Sequence, residues 1–256
     1  MSMNDREKLS REILEKVESF GKTLSSLRPT FVPGKSRVHY AGRVYDEKEL
    51  VYLTEATLEF WLTHGRFTRR FEEELSKFLG VKYLYAVSSG SSANLLAFMA
   101  LTDPSLGDRR INRGDEVITV AACFPTTIAP AIQYGAVPVF VDTDLETLNV
   151  NVDRLAQAVS DKTKAVILAH TLGNPFDLEA VGKFCWKHKL WLLEDNCDSL
   201  GSRYQGRYTG TFGDIATSSF FPAHHITTGE GGAVYTDNPG LARILLSLRD
   251  WGRDCC

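Results

Sequence analysis

Apolar residues in the N-terminal part of the chain recur with the period of an α-helix. Four of them are spaced three or four positions apart: Leu9, Ile13, Val17 and Phe20. This spacing predicts an amphipathic helix over residues 5–20. Two prolines and two glycines between residues 29 and 42 predict an extended segment. The helical period then returns from residue 47 to about residue 78, with an interruption near residues 63–65.

After residue 80, short apolar runs alternate with helical patterns. Seven runs predict strands, at residues 84–87, 116–120, 137–141, 165–169, 190–193, 216–221 and 233–235. Five patterns predict helices, at residues 92–101, 126–134, 153–159, 177–188 and 239–248. The strand runs hold Val, Ile and Leu with few polar residues between them, which is typical of strands covered on both faces. The alternation predicts an α/β fold with a mostly parallel sheet and helices on both faces.

Composition narrows the classes of protein to which the chain can belong. Of its 256 residues, 43% are hydrophobic and 24% are charged, as in an ordinary globular protein. The net charge of −3 gives no basic surplus that would favour a nucleic-acid partner. No run approaches the roughly 20 apolar residues of a membrane span, and the charged N-terminus does not resemble a secretory signal. We therefore expect a cytoplasmic protein that does not bind membranes.

Ligands of α/β sheets bind beyond the carboxyl ends of the strands, so the residues after each predicted strand are the most informative. Residues 87–94 form a Ser-rich turn containing Gly90 and Ser91 that leads into a helix. Free N–H groups and the positive dipole end of such a helix suit a phosphate group. A Ser-rich helix cap without any ligand explains the same residues equally well.

Two further segments place ionisable residues at strand ends. Residues 194–198 contain three acidic side chains, and buried carboxylates require partners. A carboxylate here can pair with a protonated ring nitrogen, and the alternative is a capping cluster for the next turn. His224 and His225 follow another strand. Adjacent side chains normally point in different directions, which disfavours a shared metal and favours one histidine as an acid or base.

Together, these segments resemble the DegT/StrS-type sugar aminotransferases, a branch of the fold-type I pyridoxal-phosphate (PLP) enzymes. The resemblance extends from about residue 67 to residue 251. It is carried by FEEELSKFLGVKYLYAVSSGSSANL, GDEVITV, YGAVPVFVDTD, DKTKAVILAH, LWLLEDNCDSLG, GTFGDIATSSFF and TTGEGGAV. The resemblance implies an N-terminal helix and extended arm at residues 1–45 and a PLP-binding large domain at residues 46–256. It also implies that the chain is a fragment that lacks the small C-terminal domain, and that the complete enzyme is a homodimer.

The family pattern assigns cofactor-binding roles to several residues. Gly90 and Ser91 match the residues that cradle the cofactor phosphate, and Ser219 matches a hydroxyl that also contacts it. Phe124 matches the aromatic residue that stacks on the cofactor ring.

Three more residues match family positions that lie around the cofactor ring. Asp195 matches the carboxylate that pairs with the pyridine nitrogen, and Asp198 stands where most members have a Gln near the ring hydroxyl. His224 replaces the lysine that forms a Schiff base with the cofactor. The resemblance therefore implies pyridoxamine phosphate (PMP) held without a covalent bond. It also implies that His224 removes a proton from the C4′ carbon of PMP.

A histidine at this position is similar to the deoxysugar 3-dehydratases, which remove the C3 hydroxyl from a nucleotide-linked 4-keto-6-deoxyhexose. One type acts on GDP-linked sugars without a metal. The other acts on CDP-4-keto-6-deoxy-D-glucose, carries a [2Fe-2S] cluster and takes electrons from an NADH-dependent flavin/iron–sulfur reductase. Cys197 and Cys255 are separated by the 57 residues 198–254, as are the first two cluster ligands of that type. The resemblance implies the CDP type, with the GDP type and an inactive binding or scaffold remnant as alternatives.

Overall fold

A computed structural model describes residues 3–39 and 44–253. The chain divides into two compact units, Met1–Arg70 and Phe71–Cys256. The domain division predicted between residues 45 and 46 stays a prediction. In the described part of the chain, no helix is both long and apolar enough to cross a membrane.

The first unit is built from helices. Helix α1 (Met3–Ser26) extends the predicted helix at both ends, and α2 spans Glu47–Glu59. The two helices pack closely at Gly21, where an added Cβ would lie 2.7 Å from the Cα of Glu47. Asp46 and Glu49 form a capping box at the start of α2, which fixes where this helix begins. Helix α3 (Arg66–Leu79) begins in this unit.

The second unit contains a seven-stranded sheet. Its strands are β1 (Tyr83–Val87), β2 (Glu116–Val120), β3 (Val137–Val141), β4 (Thr163–Ala169), β5 (Trp191–Asp195), β8 (Ile215–Ser219) and β9 (Gly232–Thr236). A separate hairpin pairs β6 (Arg203–Tyr204) with β7 (Arg207–Tyr208). The order in the sheet is β1-β9-β8-β5-β4-β2-β3. β9 runs antiparallel to both of its neighbours, and the other adjacent strands are parallel, so the sheet is mostly parallel as predicted.

Helices cover both faces of this sheet. They are α4 (Gly90–Leu101), α5 (Pro125–Gln133), α6 (Leu155–Ala158), α7 (Leu178–His188) and α8 (Pro239–Arg249). Side chains alternate across a strand, so Ala165 and Ile167 of β4 pack with α4, α5 and α8. Val166 and Leu168 of β4 pack on the opposite face with α6 and α7. Burial on both faces is the physical reason for the unbroken apolar runs in the sequence.

For two of the elements that differ from their predicted bounds, the structure shows a physical reason. The helix expected at residues 153–159 is a 3-10 turn (Val152–Arg154) followed by the single turn α6. It stops there because the next residues fold into a turn in which the Ser160 carbonyl accepts the Thr163 N–H at 3.1 Å. β5 runs two residues further than predicted. Glu194 and Asp195 continue its pairing with β4 and β8, because both buried carboxylates have hydrogen-bond donors.

Candidate functional site

The carboxyl ends of the parallel strands surround a cavity of about 780 Å³. Its walls come from the segments after β1, β2, β4, β5 and β8. Eight residues predicted to belong to the site line it: Gly90, Ser91, Phe124, Asp195, Cys197, Asp198, Ser219 and His224. Cys255, the remaining predicted residue, lies outside the described residues. The fold therefore brings together segments that are up to about 130 residues apart in sequence, and the role of each residue stays a prediction.

One end of the cavity is formed by the start of α4. Ser89 caps this helix, since its Oγ accepts the Ser92 N–H at 3.0 Å. Gly90 packs so tightly that an added Cβ would lie 2.5 Å from the Cβ of Ser219. Ser91 donates from Oγ to Oγ1 of Thr126 at 3.0 Å. The helix N-terminus and the Ser91 and Ser219 hydroxyls thus share one wall, and this arrangement suits an anion.

Asp195 carries a buried carboxylate in the cavity wall and is only 4% exposed. Its Oδ2 accepts Nδ2–H of Asn94 at 2.9 Å and Oγ1–H of Thr127 at 2.7 Å. Its Oδ1 accepts the backbone N–H of Cys197 at 3.2 Å. Neither Asn94 nor Thr127 was among the predicted site residues. One signal was available for Asn94, which is the lone amide side chain in the otherwise apolar stretch 93–101 of α4.

His224 lies in the cavity wall beside Asp198. Its Nδ1 is 3.4 Å from Oδ1 of Asp198, and its side chain is 21% exposed. The backbone N–H of His224 donates to the Phe221 carbonyl at 2.9 Å, which forms a turn after β8. His225 is exposed and is not one of the residues lining the cavity. The structure thus places His224, the histidine that the family pattern selects, in the cavity wall and leaves His225 outside it.

Phe124 offers an exposed aromatic ring at the cavity. It precedes Pro125, the first residue of α5, and its side chain is 68% exposed. Proline at this position fixes the start of the helix and therefore the direction in which the chain approaches Phe124. A planar ligand in the cavity could stack on this ring.

Two cysteines also line the cavity, Cys123 and Cys197. Burial raises the pKa of the Cys197 thiol well above its ordinary value, and the neighbouring Asp195 carboxylate raises it further. Burial and then Asp195 also raise the pKa of Cys123. Within residues 3–39 and 44–253, no three His, Cys, Asp or Glu side chains are grouped so that they could hold a metal ion.

Glu194 is the neighbour of Asp195 and is fully buried. Its carboxylate accepts the backbone N–H groups of Gly210 at 2.8 Å, Phe212 at 2.7 Å and Gly213 at 2.5 Å. Its Oε2 also lies 3.1 Å from Nε2 of His170, which is fully buried as well. These contacts tie the 210–213 loop to the end of β5, so Glu194 and His170 have a structural role.

The chain is similar to known proteins of one enzyme family. A model of the DegT/DnrJ/EryC1/StrS aminotransferase family matches residues 44–255. The chain is 53% identical over 247 residues to the lipopolysaccharide biosynthesis protein RfbH of Salmonella typhimurium, covering 96% of this chain and 56% of that protein. It is 56% identical over 227 residues to dTDP-4-dehydro-2,6-dideoxy-D-glucose 3-dehydratase of Saccharopolyspora spinosa, covering 89% of this chain and 49% of that protein. The chain spans about half the length of the curated relatives it matches.

A solved structure shows the same fold. The chain superposes on E. coli GDP-4-keto-6-deoxy-D-mannose-3-dehydratase with bound hydrated PLP with a TM-score of 0.77 and 38% sequence identity. The match covers 81% of this chain and 53% of that chain. It confirms the predicted fold class, the large domain of a fold-type I PLP-dependent enzyme. With a family model that matches most of its length, the chain belongs to the DegT/DnrJ/EryC1/StrS aminotransferase family.

Proposed function

We propose that this chain is the cofactor-binding part of a PMP-dependent nucleotide-sugar 3-dehydratase. The observation that carries the proposal is His224, which occupies the cavity at the position of the family's cofactor-binding lysine, with Asp198 against its Nδ1. No lysine is among the described residues that line this cavity. Two of the relatives, from Saccharopolyspora spinosa and E. coli, are named 3-dehydratases.

The residues of the cavity fit PMP. Gly90, Ser91 and Ser219 share the wall at the N-terminus of α4, where a phosphate group would be stabilised. Asp195 provides a buried carboxylate for the ring nitrogen, and Phe124 an exposed ring for stacking. When bound, PMP supplies an amine that condenses with the sugar C4 ketone and a ring that withdraws electrons.

Asp195 would hold a proton on the pyridine nitrogen. A carboxylate in a buried site attracts a cation more strongly than a carboxylate in water, because the surrounding dielectric is low. The donors on Asp195 come from Asn94, Thr127 and the backbone of Cys197, and they hold the carboxylate in place in the cavity wall. The residue can therefore keep the ring nitrogen protonated while the C4′ proton is removed.

His224 would move the C4′ proton. A carboxylate near Nδ1 favours the imidazole tautomer with hydrogen on Nδ1, so Nε2 is the basic atom. Neutral imidazole is a suitable base near pH 7, and Nε2 can later return the proton. Removal of this proton would allow the C3 hydroxyl of the sugar to leave, and the proton held on Nε2 could pass to it so that it departs as water.

The finer assignment is CDP-4-keto-6-deoxy-D-glucose as substrate, with a [2Fe-2S] cluster and an NADH-dependent flavin/iron–sulfur reductase as electron donor. Its support is the separation of Cys197 from Cys255 and the position of Cys197 in the cavity wall. Cys255 lies outside the described residues, so the cluster site rests on the sequence alone. A cytoplasmic homodimer whose partner subunit completes the active site is part of the same proposal.

Iron binding separates the two dehydratase types. After anaerobic reconstitution with iron and sulfide, Cys197→Ser should lose the bound iron. Cys123→Ser, which changes another thiol in the cavity wall, should keep it. Wild-type protein that binds no iron and still dehydrates a GDP-linked sugar would belong to the cluster-free type.

Deuterium exchange tests the reaction itself. The chain is incubated with PMP deuterated at C4′ and with the CDP- or GDP-linked 4-keto sugar, and deuterium loss is followed by mass spectrometry. His224→Asn should bind PMP and lose deuterium about 10²–10⁴-fold more slowly than wild type. His225→Asn is the matched control and should exchange at the wild-type rate. Equal rates in wild type and His224→Asn would show that His224 is not the base.

A further inference from the structure

The carboxylate of Asp195, at the end of β5, is held by a chain of buried side chains from three other elements of the fold. Thr217 of β8 donates from Oγ1 to Oδ1 of Asn94 at 2.6 Å. Asn94 of α4 donates to Oδ2 of Asp195 at 2.9 Å, and Thr127 of α5 donates to the same oxygen at 2.7 Å. Thr217 is fully buried, and the other three residues are at most 4% exposed.

The donors are distributed unequally over the two carboxylate oxygens. An ionised carboxylate can accept about four hydrogen bonds, two at each oxygen. Oδ2 already accepts two side-chain donors, whereas Oδ1 accepts one backbone N–H, from Cys197, whose thiol also interacts with this carboxylate. The remaining acceptor capacity of Asp195 is therefore on Oδ1.

Thr217 determines which way the Asn94 amide points. Because its hydroxyl donates to Oδ1 of Asn94, the Nδ2 group of this amide faces Asp195. The reverse orientation would place the amide oxygen against Oδ2 of the carboxylate and would lose both hydrogen bonds. The amide is thus fixed by a partner 123 residues away in the sequence.

We propose that Asn94 and Thr127 are positioning residues that fix the Asp195 carboxylate so that Oδ1 receives the ring N–H of the cofactor. This inference rests on the proposed binding of PMP. It also explains how the phosphate group and the ring nitrogen of the cofactor would be held a fixed distance apart. Helix α4 carries Ser91 in the part of the cavity wall proposed to bind the phosphate group, and it carries Asn94 one turn later. Helix α5 carries Thr126, which accepts from Ser91, and then Thr127.

Two threonines provide a matched pair for the test. Thr127→Val removes the hydroxyl that reaches Asp195 and keeps the shape of the side chain. Thr119→Val makes the same change in β2, at a fully buried hydroxyl with no hydrogen-bond partner in the described part of the chain. Each variant is titrated with PMP and with its analogue in which the ring nitrogen is replaced by C–H.

We expect Thr127→Val to weaken PMP binding about tenfold or more and to leave analogue binding unchanged, since the analogue has no ring N–H. Asn94→Leu should behave in the same way. Thr119→Val should change neither affinity, and Thr127→Ser, which keeps the hydroxyl, should bind PMP nearly as wild type does. Equal weakening of PMP and analogue in Thr127→Val would overturn the positioning role and indicate general damage to the cavity.

A measurement without cofactor keeps this inference separate from the proposed function. Thr127→Val should lower the melting temperature of the chain by roughly 3–8 °C relative to Thr119→Val, because the buried carboxylate loses a donor. In an Asp195→Ala background this difference should disappear. If wild type bound no PMP, the proposed function would fail, and the melting temperatures would still decide whether Thr127 holds Asp195. Equal melting temperatures for the two valine variants would contradict that hydrogen bond.

Discussion

Nδ1 of His224 lies 3.4 Å from Oδ1 of Asp198 in the wall of the cavity. The resemblance to the family places His224 at the position of the cofactor-binding lysine and Asp198 where most members have a Gln. Under the proposed function, the carboxylate would orient the imidazole through Nδ1 and leave Nε2 for proton transfer.

Asp198→Ala should therefore slow proton exchange at C4′ of PMP by about ten- to a hundredfold at saturating PMP, because the imidazole loses the group that fixes its tautomer. Deuterium loss measured by mass spectrometry checks this expectation. Glu230→Ala is the control, since Glu230 is another acid lining the cavity. An unchanged rate in Asp198→Ala would show that the contact does not support the base.

A lysine at position 224 should restore covalent attachment of PLP. Because His224 lines the cavity, His224→Lys places an amine there, and borohydride should then fix PLP to residue 224. Wild type should release PMP on dialysis and should not be labelled. The matched control is His225→Lys, whose added amine lies at an exposed position and should stay unlabelled. Labelling of any lysine of the wild-type protein would contradict the assignment of His224.

The Cys197 thiol should react slowly with iodoacetamide at pH 7. Burial and then Asp195 raise its pKa, so less thiolate is present at a given pH, and the reaction should accelerate as pH rises. Asp195→Asn removes the negative charge, lowers the pKa towards its ordinary value and should speed the alkylation of Cys197.

Cys185 is the internal control in the same experiment. Burial and then Asp214 raise the pKa of Cys185 to about 12, and Asp195 is not a cause of this shift. Asp195→Asn should thus leave the alkylation of Cys185 unchanged. Peptide mass spectrometry reports both sites. If Cys197 were alkylated equally fast with and without the Asp195 charge, the electrostatic contact between them would be excluded.

Glu194→Gln should destabilise the folded chain by about 1–3 kcal/mol, because the new amide group would face backbone N–H donors in a fully buried site. Urea unfolding measures the change in the free energy of unfolding. Glu179→Gln, at a half-exposed position on α7, should leave the unfolding midpoint nearly unchanged. Similar midpoints for the two variants would contradict the structural role of Glu194.

Local patterns in the sequence were sufficient for most of the elements and for the segments that form the cavity. Unbroken apolar runs marked the strands because both faces of the sheet are covered. Small and acidic residues at strand ends marked the cavity because the carboxyl ends of parallel strands meet at one edge. The same patterns failed at residues 153–159, where helical spacing was cut short by a turn, and at Glu194, where buried donors let an acid extend a strand.

Partners of individual side chains were decided by the tertiary structure. Asn94, Thr127 and Thr217 look like unremarkable polar residues in the sequence. Asn94 and Thr127 reach Asp195, and Thr217 reaches Asn94, only because two helices and the neighbouring strand β8 converge at the end of β5. The family pattern selected His224 from the sequence, but its contact with Asp198 depends on how the turn after β8 lies against the end of β5. Local spacing predicts secondary structure because the period of buried side chains repeats within a few residues along each helix or strand, whereas these contacts join residues 26 to 123 positions apart and exist only in the packed chain.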